Sequence, residues 1–411
     1  MLADRSTMLC HGGKTNTMLD FTYYTPTKVV FGRNAENKTG GLIKEHNATK
    51  VLIIYGSERV RKTGLLDTIE AQLDSLGITY IELGGVVPNP RLSLVEKGID
   101  LCRHENVDFI LAVGGGSVID SAKAIGYGAA DPDAGKVWDF YCKTRTPVKT
   151  VPVGVILTIS ATGSEMSNSS VITNEDGWIK CGCNNDISRP KFAIMDPKLT
   201  ETLPEYQTEC GCADIMMHTL ERYLSASGNM EITDSISEAL LRTVMKYALI
   251  LKREPHNYEA RAEVMWAGSL SHNGLTGCGT DGGDWACHKL EHELGGMYDV
   301  AHGAGLTALC GTWAKYVYKN KPDRFARLAV KVLGVTPGKN YEDTALSGIS
   351  AMEDFFRSIN MPVSLTELGI VPTDDEYVEL ARKCSLTAND NLGSIMNLHR
   401  ADMEAIYRMA L

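Results

Sequence analysis

Five side chains in the second half of the chain have the types and the spacing that a metal site requires. Asp214 and His218 lie four residues apart, as do His288 and His292, so each pair shares one face if its segment is helical. His302 follows shortly afterwards. A carboxylate combined with imidazole nitrogens suits a divalent ion such as Fe(II) or Zn(II). The spacing therefore predicts one metal site in this half of the molecule.

The same histidines also fit a different class of enzyme. Residues 288–292 (HKLEH) match the His-x-x-Glu-His pattern of a group of zinc peptidases. In that interpretation His288 and His292 both bind zinc, and Glu291 is the general base. A pattern of five residues arises easily by chance, and this one gives Asp214 and His218 no role. The peptidase is therefore the alternative to the first interpretation.

A glycine-rich turn in the first half of the chain predicts a nucleotide site. Residues 109–113 (FILAV) have the pattern of a buried strand and run directly into residues 114–117 (GGGS), after which a helical pattern begins. Glycines let the backbone approach a ligand closely, and a helix N-terminus offers free N–H groups to a pyrophosphate. A plain strand-to-helix turn explains the glycines as well, because the usual Rossmann and P-loop fingerprints are both absent.

Two further turns strengthen the nucleotide interpretation. Gly56 and Ser57 close an earlier predicted strand, and Thr158 and residues 162–165 (TGSE) follow a later one. The carboxyl ends of parallel strands meet at one edge of a sheet, which is where nucleotides bind in such folds. Three turns at one edge predict a dinucleotide site.

Two kinds of structure must position these residues. In the first half, short apolar segments alternate with helical patterns, which is typical of βαβ units and a parallel sheet buried on both faces. The predicted strands are 50–55, 79–83, 109–113, 151–159 and 192–195, and the predicted helices are 63–76, 92–105 and 117–127. Beyond about Pro204, patterns with a 3.6-residue period dominate and predict helices at 214–225, 233–252, 258–272, 325–333, 341–358 and 374–384. We predict an α/β domain at 18–205, an all-helical domain at 206–411, and a site in the cleft between them.

Composition excludes several classes of protein. The 411 residues include 41 lysines and arginines against 51 aspartates and glutamates, and the net charge of −10 argues against a nucleic-acid partner. No apolar segment approaches the ~18 residues of a membrane span. Residues 1–17 lack the apolar centre of a secretory signal. Eleven scattered cysteines predict reduced thiols in the cytoplasm, and the pairs Cys181/Cys183 and Cys210/Cys212 are interpreted as inert thiols.

Several ordered motifs make the chain similar to a known family. It resembles the iron-containing (group III) alcohol dehydrogenases, particularly their butanol dehydrogenase and broad aldehyde reductase branch. The matching segments are YTPTKVVFG (24–32), PNP (88–90), GGGSVIDSAK (114–123), ATGSE (161–165), LPEYQTECGCADIMMHTLE (203–221), KREPHNYEARAEVMWA (252–267) and DWACHKLEHELGGMYDVAHG (284–303). The resemblance covers nearly everything from Met18 onward, and residues 1–17 lie outside it as an N-terminal extension.

The resemblance implies a fold, a site and a reaction. The fold is dehydroquinate-synthase-like, with an α/β dinucleotide-binding domain followed by an all-α metal-binding domain. The family's metal ligands fall on Asp214, His218, His288 and His302, and its further histidine, near the nicotinamide, falls on His292. The family's cofactor positions fall on Gly56, Ser57, Gly114, Gly115, Gly116, Ser117, Asp120, Thr158, Ser164 and Lys180. The expected reaction is hydride transfer between NAD(P) and a small alcohol or aldehyde such as butanol or butanal. A polyol of the glycerol type is the alternative substrate.

Three further expectations complete this interpretation. We expect a homodimer, located in the cytoplasm. We also expect His292 to relay a proton to solvent near its unperturbed pKa of about 6.5. The third expectation concerns the cofactor, because the first turn departs from the glycine-rich pattern of the reductase branch. Glu58 could accept a ribose hydroxyl and favour NAD, whereas Arg59, Arg61 and Lys62 could bind a 2′-phosphate. Three cations against one carboxylate predict NADP.

Overall fold

A parallel sheet forms the first half of the molecule. The computed structural model describes residues 18–133, 135–227 and 230–411, so the extension at 1–17 lies outside the described residues. The strands are β1 (Lys28–Phe31), β2 (Lys50–Tyr55), β3 (Thr79–Leu83), β4 (Phe109–Gly114), β5 (Val153–Leu157), β6 (Ser169–Asn174), β7 (Ile179–Asn184) and β8 (Phe192–Met195). Six of them form one sheet in the order β1-β8-β5-β4-β2-β3, and every neighbouring pair is parallel. The predicted parallel sheet is confirmed.

Helices cover both faces of this sheet, as the apolar strands require. They are α1 (Thr39–Glu45), α2 (Arg59–Lys62), α3 (Leu65–Ser75), α4 (Leu92–Glu105), α5 (Gly116–Ala130) and α6 (Trp138–Tyr141). Alternate residues of β2 enter opposite cores: Leu52 packs in the core that α4 and α5 cover, and Val51 packs in the core beneath α1 and α3. Strand Cβ atoms alternate between the faces, so a strand covered on both sides must be apolar throughout.

Sequence patterns missed three strands. The edge strand β1 was not predicted, and neither was the antiparallel hairpin of β6 and β7. The hairpin is only partly buried, and β7 (IKCGCN) contains a glycine and two cysteines in place of the β-branched residues that mark a strand. This omission matters because β7 carries Lys180.

The second half of the molecule is helical. Its helices are α7 (Glu205–Ser225), α8 (Glu231–Arg253), α9 (Tyr258–His272), α10 (Ala286–Tyr298), α11 (His302–Val317), α12 (Pro322–Lys331), α13 (Tyr341–Ser358), α14 (Asp374–Ala388) and α15 (Arg400–Met409). Within the described ranges, no strand follows β8 and no helix has the length and apolarity needed to cross a membrane. Helix α7 is buried almost continuously from Glu209 to Ser225, so its polar side chains point into the protein interior.

Glycine residues, which have no side chain, let the two halves pack closely. A Cβ atom on Gly211 of α7 would lie 2.2 Å from the carbonyl oxygen of Ser160, in the loop that follows β5. Gly163 of the same loop has a φ of +65°, and a Cβ there would lie 2.7 Å from the carbonyl oxygen of Gly268 in α9. Larger residues at these positions would push the loop away from the helices. The glycines therefore fix the distance between the two walls of the cleft described next.

Candidate active site

A cleft of about 650 Å³ lies between the two halves. Its first wall comes from the start of α5, the loop between β5 and β6, and the β6–β7 hairpin. Its second wall comes from α7, α9, α10 and the start of α11. The cleft contains both the predicted metal residues and part of the predicted cofactor site, as the two-domain organisation leads one to expect.

The four predicted metal ligands converge on one carboxylate oxygen. Asp214 Oδ1 lies 3.5 Å from His218 Nδ1, 3.8 Å from His288 Nε2 and 3.7 Å from His302 Nε2. Helix α7 presents Asp214 and His218 one turn apart, while α10 and α11 supply one histidine each. Ligand atoms of Asp214, His218 and His288 all lie within 4.8 Å of one another, and His302 completes the group through its approach to Asp214.

Buried atoms without partners show that this group fits a cation. Asp214 Oδ1, His218 Nδ1 and His288 Nε2 are buried and have no hydrogen-bond partner. An unsatisfied buried polar atom costs about 1–3 kcal/mol. One divalent ion would satisfy all three atoms together, and an Asp/His donor set suits Fe(II) or Zn(II). The residues present therefore fit the expected metal.

Two buried glutamates orient the histidines. Glu221 Oε2 is hydrogen-bonded to His288 Nδ1, and Glu291 Oε2 is hydrogen-bonded to His302 Nδ1. A carboxylate behind Nδ1 holds the proton there and leaves Nε2 free to bind a metal. Burial lowers the pKa of His288, but the carboxylates of Glu221 and Asp214 outweigh burial and raise that pKa to about 9.

The arrangement does not favour the peptidase alternative. Glu291 is fully buried, bound to His302 and 3.4 Å from Lys180 Nζ, so it is not free to act as a general base at the metal. His292 is not part of the group that converges on Asp214: its ring centre lies 6.0 Å from that of His302, and its Nδ1 has no partner. Residues 288–292 do match the peptidase pattern, but only His288 of this segment lies in the cluster around Asp214.

The environment of His292 corrects one expectation. The side chain lines the cleft but is only 7% exposed. Burial, followed by the charges of Lys180 and Lys289, lowers the pKa of His292 well below its usual value. The expectation of an unperturbed pKa near 6.5 was wrong, because the sequence did not reveal that the ring is buried between cations.

The predicted cofactor residues gather at one sheet edge, but they differ in exposure to the cleft. The ends of β2, β4 and β5 meet there, as the parallel topology predicts. Residues that line the cleft are Gly116, Ser117, Asp120, Ser164 and Lys180. The remaining predicted positions, Gly56, Ser57, Arg59, Gly114, Gly115 and Thr158, belong to the same strand ends but lie outside the lining of the cleft.

The glycine turn supports both interpretations made from the sequence. Helix α5 begins at Gly116 without a side chain that caps its first N–H groups, so these donors are available to an anion. Close packing also demands glycine here, since a Cβ on Gly115 would lie 2.8 Å from Ile159 and one on Gly116 would lie 2.4 Å from Thr162. The turn is therefore tight for reasons of packing and is still open to a phosphate.

Two of the three cations at the first turn already have partners, whereas the side chain of Lys62 has none among the described residues. Arg61 lies 2.5 Å from Glu82, 3.1 Å from Glu70 and 3.7 Å from Asp67. Arg59 donates a hydrogen bond to the hydroxyl of Thr202. Two side chains held in this way are poorly placed to bind a 2′-phosphate, so the argument for NADP is reduced to Lys62.

Sequence reasoning missed several residues of the site. The ring of His272, at the end of α9, lies 4.1 Å from that of His218, and Trp285 lies 5.3 Å from His288. Arg222 stacks on Trp285 at 4.4 Å and donates to the carbonyl oxygen of His218. His272 has no second candidate ligand at helical spacing, so no sequence pattern pointed to it. The helix of Asp214 and His218 could have revealed Arg222, which lies one turn beyond His218 on the same face.

The cysteine pairs show no sign of a metal site. The ten cysteines within the described part of the chain are free. Burial raises the pKa of Cys210 and of Cys212 to about 12, and the pKa of Cys181 and of Cys183 to about 11. Thiols with such pKa values stay protonated near neutral pH, and the candidate metal cluster found among the described residues contains no cysteine.

Comparisons with known proteins agree with this geometry. Residues 26–197 match the family described as iron-containing alcohol dehydrogenase, and residues 209–411 match the C-terminal domain of the same family. The chain is 39% identical to NADH-dependent butanol dehydrogenase A of Clostridium acetobutylicum, over 95% of this chain and 99% of the relative. It is 34% identical to the NADPH-dependent aldehyde reductase YqhD of Escherichia coli, over 86% of this chain and 90% of the relative. The crystal structure of NADH-dependent butanol dehydrogenase A from Thermotoga maritima superposes with a TM-score of 0.92 at 38% identity, covering 96% of this chain and 99% of that one. The chain belongs to the iron-containing alcohol dehydrogenase family.

Proposed function

We propose that this protein interconverts a small primary alcohol, such as butanol, and its aldehyde, with NADH as the preferred cofactor. One divalent metal, Fe(II) or Zn(II), is held by Asp214, His218, His288 and His302. The observation that carries the proposal is the convergence of three histidines on Asp214 Oδ1 in a cleft whose other wall includes the glycine turn at the sheet edge. When bound, the metal supplies Lewis acidity toward the substrate oxygen and the nicotinamide exchanges a hydride with the substrate carbon.

The chain's own residues prepare the cleft for this chemistry. Glu221 and Glu291 hold two histidine rings with their Nε2 atoms directed at Asp214. Trp285 and His272 cover the metal residues on the side of α9 and limit the access of water. His292 lines the cleft, so its ring is placed to exchange a proton with a bound substrate.

Charge at the first turn favours NADH. A 2′-phosphate carries close to two negative charges and needs cationic donors. Arg61 is paired with carboxylates and Arg59 is bound to Thr202, so Lys62 is the cation left to bind the phosphate, and Glu58 would repel it. NADP, the cofactor predicted from the sequence, is the competing outcome.

Steady-state kinetics test the proposal. The purified protein is loaded with Fe(II) or Zn(II), and oxidation of NADH and NADPH is followed with butanal. In the reverse direction, butanol and glycerol are compared with the oxidised cofactors. We expect NADH to be preferred at least about tenfold in kcat/KM, the equivalent of one charge-assisted contact. A preference for NADPH refutes the cofactor assignment, and turnover of glycerol alone moves the substrate to the polyol class. Absence of turnover with either metal refutes the function.

We also propose that the protein is a cytoplasmic homodimer. The free cysteines support a reducing compartment. Strand β1 is an edge strand, whose unpaired N–H and C=O groups are a ready template for a second chain. Phe31 of this strand (41% exposed) and Trp266 of α9 (40% exposed) form an aromatic pair with ring centres 6.4 Å apart. Light scattering should give the mass of two chains for the wild type and of one chain for Phe31→Glu. A monomeric wild type would contradict the proposal.

A further inference from the structure

A lysine is completely buried in the middle of α5. Lys123 is 0% exposed, and its Nζ lies 2.7 Å from the carbonyl oxygen of Ser164, 3.0 Å from that of Ser167 and 2.8 Å from that of Ser169. Hydroxyl oxygens of Ser164 and Ser167 lie at 3.0 and 3.4 Å. An ammonium group has three donors, so three backbone carbonyls use the full capacity of this one.

Burial of this charge destabilises the folded state unless other groups compensate for it. Burial of an ammonium group is strongly unfavourable unless it is well compensated. Lys123 forms no salt bridge with any residue that the structure describes, and its compensation comes from carbonyl dipoles and from the more distant charges of Asp120 and Glu165. Burial lowers the pKa of Lys123 to about 8. An apolar side chain would leave these three backbone carbonyls without their donor, so the ammonium group has a role other than packing.

The carbonyls that Lys123 binds belong to one wall of the cleft. Residues 162–168 lead toward β6 without regular secondary structure, and Ser169 is the first residue of that strand. Thr162, Ser164, Ser167 and Ser169 line the cleft. Hydrogen bonds between strands or within a helix cannot hold such a segment, so side chains must do so.

Asp120 completes the attachment from the same helix. It lies one turn before Lys123, and its Oδ1 accepts a hydrogen bond from Ser164 Oγ at 2.6 Å. Its Oδ2 accepts one from the backbone N–H of Val171 at 3.0 Å. Lys123 thus binds the acceptors of the segment, and Asp120 binds its donors. Both start from the helix whose N-terminus forms the glycine turn.

We propose that Lys123 is a positioning residue: its ammonium group fixes residues 164–169 against α5 and thereby sets the shape of the cleft wall that faces the metal ligands. This inference rests on the proposed function, because the wall matters only if cofactor and substrate bind in the cleft. Lys123 itself touches neither the metal residues nor the open cleft.

The main experiment removes the charge and keeps the shape. Lys123→Met preserves the length and most of the apolar volume of the side chain. The matched control is Lys97→Met, the same change on the exposed side of α4. The metal-loaded enzymes are compared by metal content, by the Kd for NADH from fluorescence titration, by KM for butanal and by kcat. Hydrogen exchange of residues 164–171 reports on the wall without any activity.

Positioning and mere stabilisation predict different results. If Lys123 positions the wall, Lys123→Met keeps its metal, but Kd for NADH and KM for butanal rise about tenfold or more, which equals one lost charge-assisted hydrogen bond. The decrease in kcat is smaller, and exchange of residues 164–171 becomes faster. If Lys123 only stabilises the fold, the melting temperature falls while Kd and KM match those of Lys97→Met, and the proposal is overturned.

A second variant keeps the test decisive if Lys123→Met does not fold. Asn168→Gly leaves Lys123 in place, adds backbone freedom to the segment that it holds, and removes the hydrogen bond from the Asn168 side chain to Asp186. Glycine adds backbone entropy that corresponds to about a two- to fivefold rise in Kd for NADH and KM. An unchanged Kd would show that order in this segment does not control binding, and would refute the proposal. Absence of any turnover by the wild type would refute the proposed function instead, while Kd and hydrogen exchange still test Lys123.

Discussion

The two walls of the cleft are both buried and polar, yet they satisfy their polar groups in opposite ways. In the wall from the first half, Lys123 and Asp120 use their donors and acceptors within the protein. In the wall from the second half, atoms of Asp214, His218 and His288 are buried without partners. The segment that Lys123 and Asp120 hold therefore needs no ligand to satisfy its polar groups, whereas the atoms of the second wall would be satisfied by an ion. A buried polar group without a partner indicates a ligand more strongly than a residue pattern does.

The largest effect on metal content and activity is expected at the proposed metal site, where buried polar atoms have no partner. His288→Ala removes one of the four ligands and leaves Glu221 buried without its histidine partner. We expect the protein to lose its metal in elemental analysis and its activity to fall to background. His104→Ala is the matched control, because that histidine is exposed on α4. Stoichiometric metal together with activity in His288→Ala would show that the four residues do not form the metal site.

The next effect separates chemistry from metal binding. His292 lines the cleft but does not converge on Asp214, so His292→Ala should keep its metal. Loss of a general acid–base group typically lowers turnover by about 10²–10⁴-fold, and we expect kcat to fall within that range. Metal loss equal to that in His288→Ala would place His292 on the metal and revive the peptidase pattern.

The contrast between the walls also explains what the sequence could predict. Metal ligands have few allowed types and a helical spacing, so the sequence could predict the cluster of Asp214, His218 and His288 that the fold brings together, and the parallel sheet followed from its apolar strands. Lys123 is different: its partners are backbone carbonyls, which no residue pattern displays. Its role becomes visible only once the loop after β5 is folded against α5.

Ion pairs between residues that are far apart in the sequence were the second feature that sequence patterns could not predict. The sequence shows Arg61 beside two other cations, which suggests a phosphate site. In the fold, β3 brings Glu82 to 2.5 Å from the guanidinium and α3 adds Glu70. The β6–β7 hairpin was missed for a related reason, since its stability comes from packing against α5 and α10 rather than from strongly strand-forming residues.

An effect of intermediate size on metal affinity is expected for Glu221, which is hydrogen-bonded to the proposed ligand His288. Glu221 accepts hydrogen bonds from His288 Nδ1 and, at 2.8 Å, from the backbone N–H of Cys287. Glu221→Gln keeps the shape but offers only one oxygen, so one of these donors loses its acceptor. Changes of this kind cost about 10–100-fold in metal affinity, which competition with a chelating dye would measure. The exposed Glu96→Gln on α4 is the control.

The same variant tests the difference between the walls. Because Lys123 and Asp120 hold residues 164–171 without the ion, Glu221→Gln should leave hydrogen exchange of these residues unchanged. Faster exchange there would mean that the metal also orders the cofactor wall, and that the two walls are not independent.

The smallest effect is expected at the edge of the first wall, where the charges are exposed. Glu58 forms no ion pair within the described chain, so in the folded protein its charge is opposed only by solvent and salt. Exposed charges interact by roughly 0.2–1 kcal/mol, which is about a 1.5- to fivefold change in kcat/KM at 1.4 kcal/mol per tenfold. Glu58→Gln should therefore raise kcat/KM for NADPH by about two- to fivefold and leave that for NADH nearly unchanged, with a smaller difference at high salt. Arg61→Met should change the preference less, because carboxylates already neutralise that guanidinium. A strong loss of NADPH use in Arg61→Met would instead show that Arg61 leaves Glu82 to bind the 2′-phosphate, and would restore the cofactor predicted from the sequence.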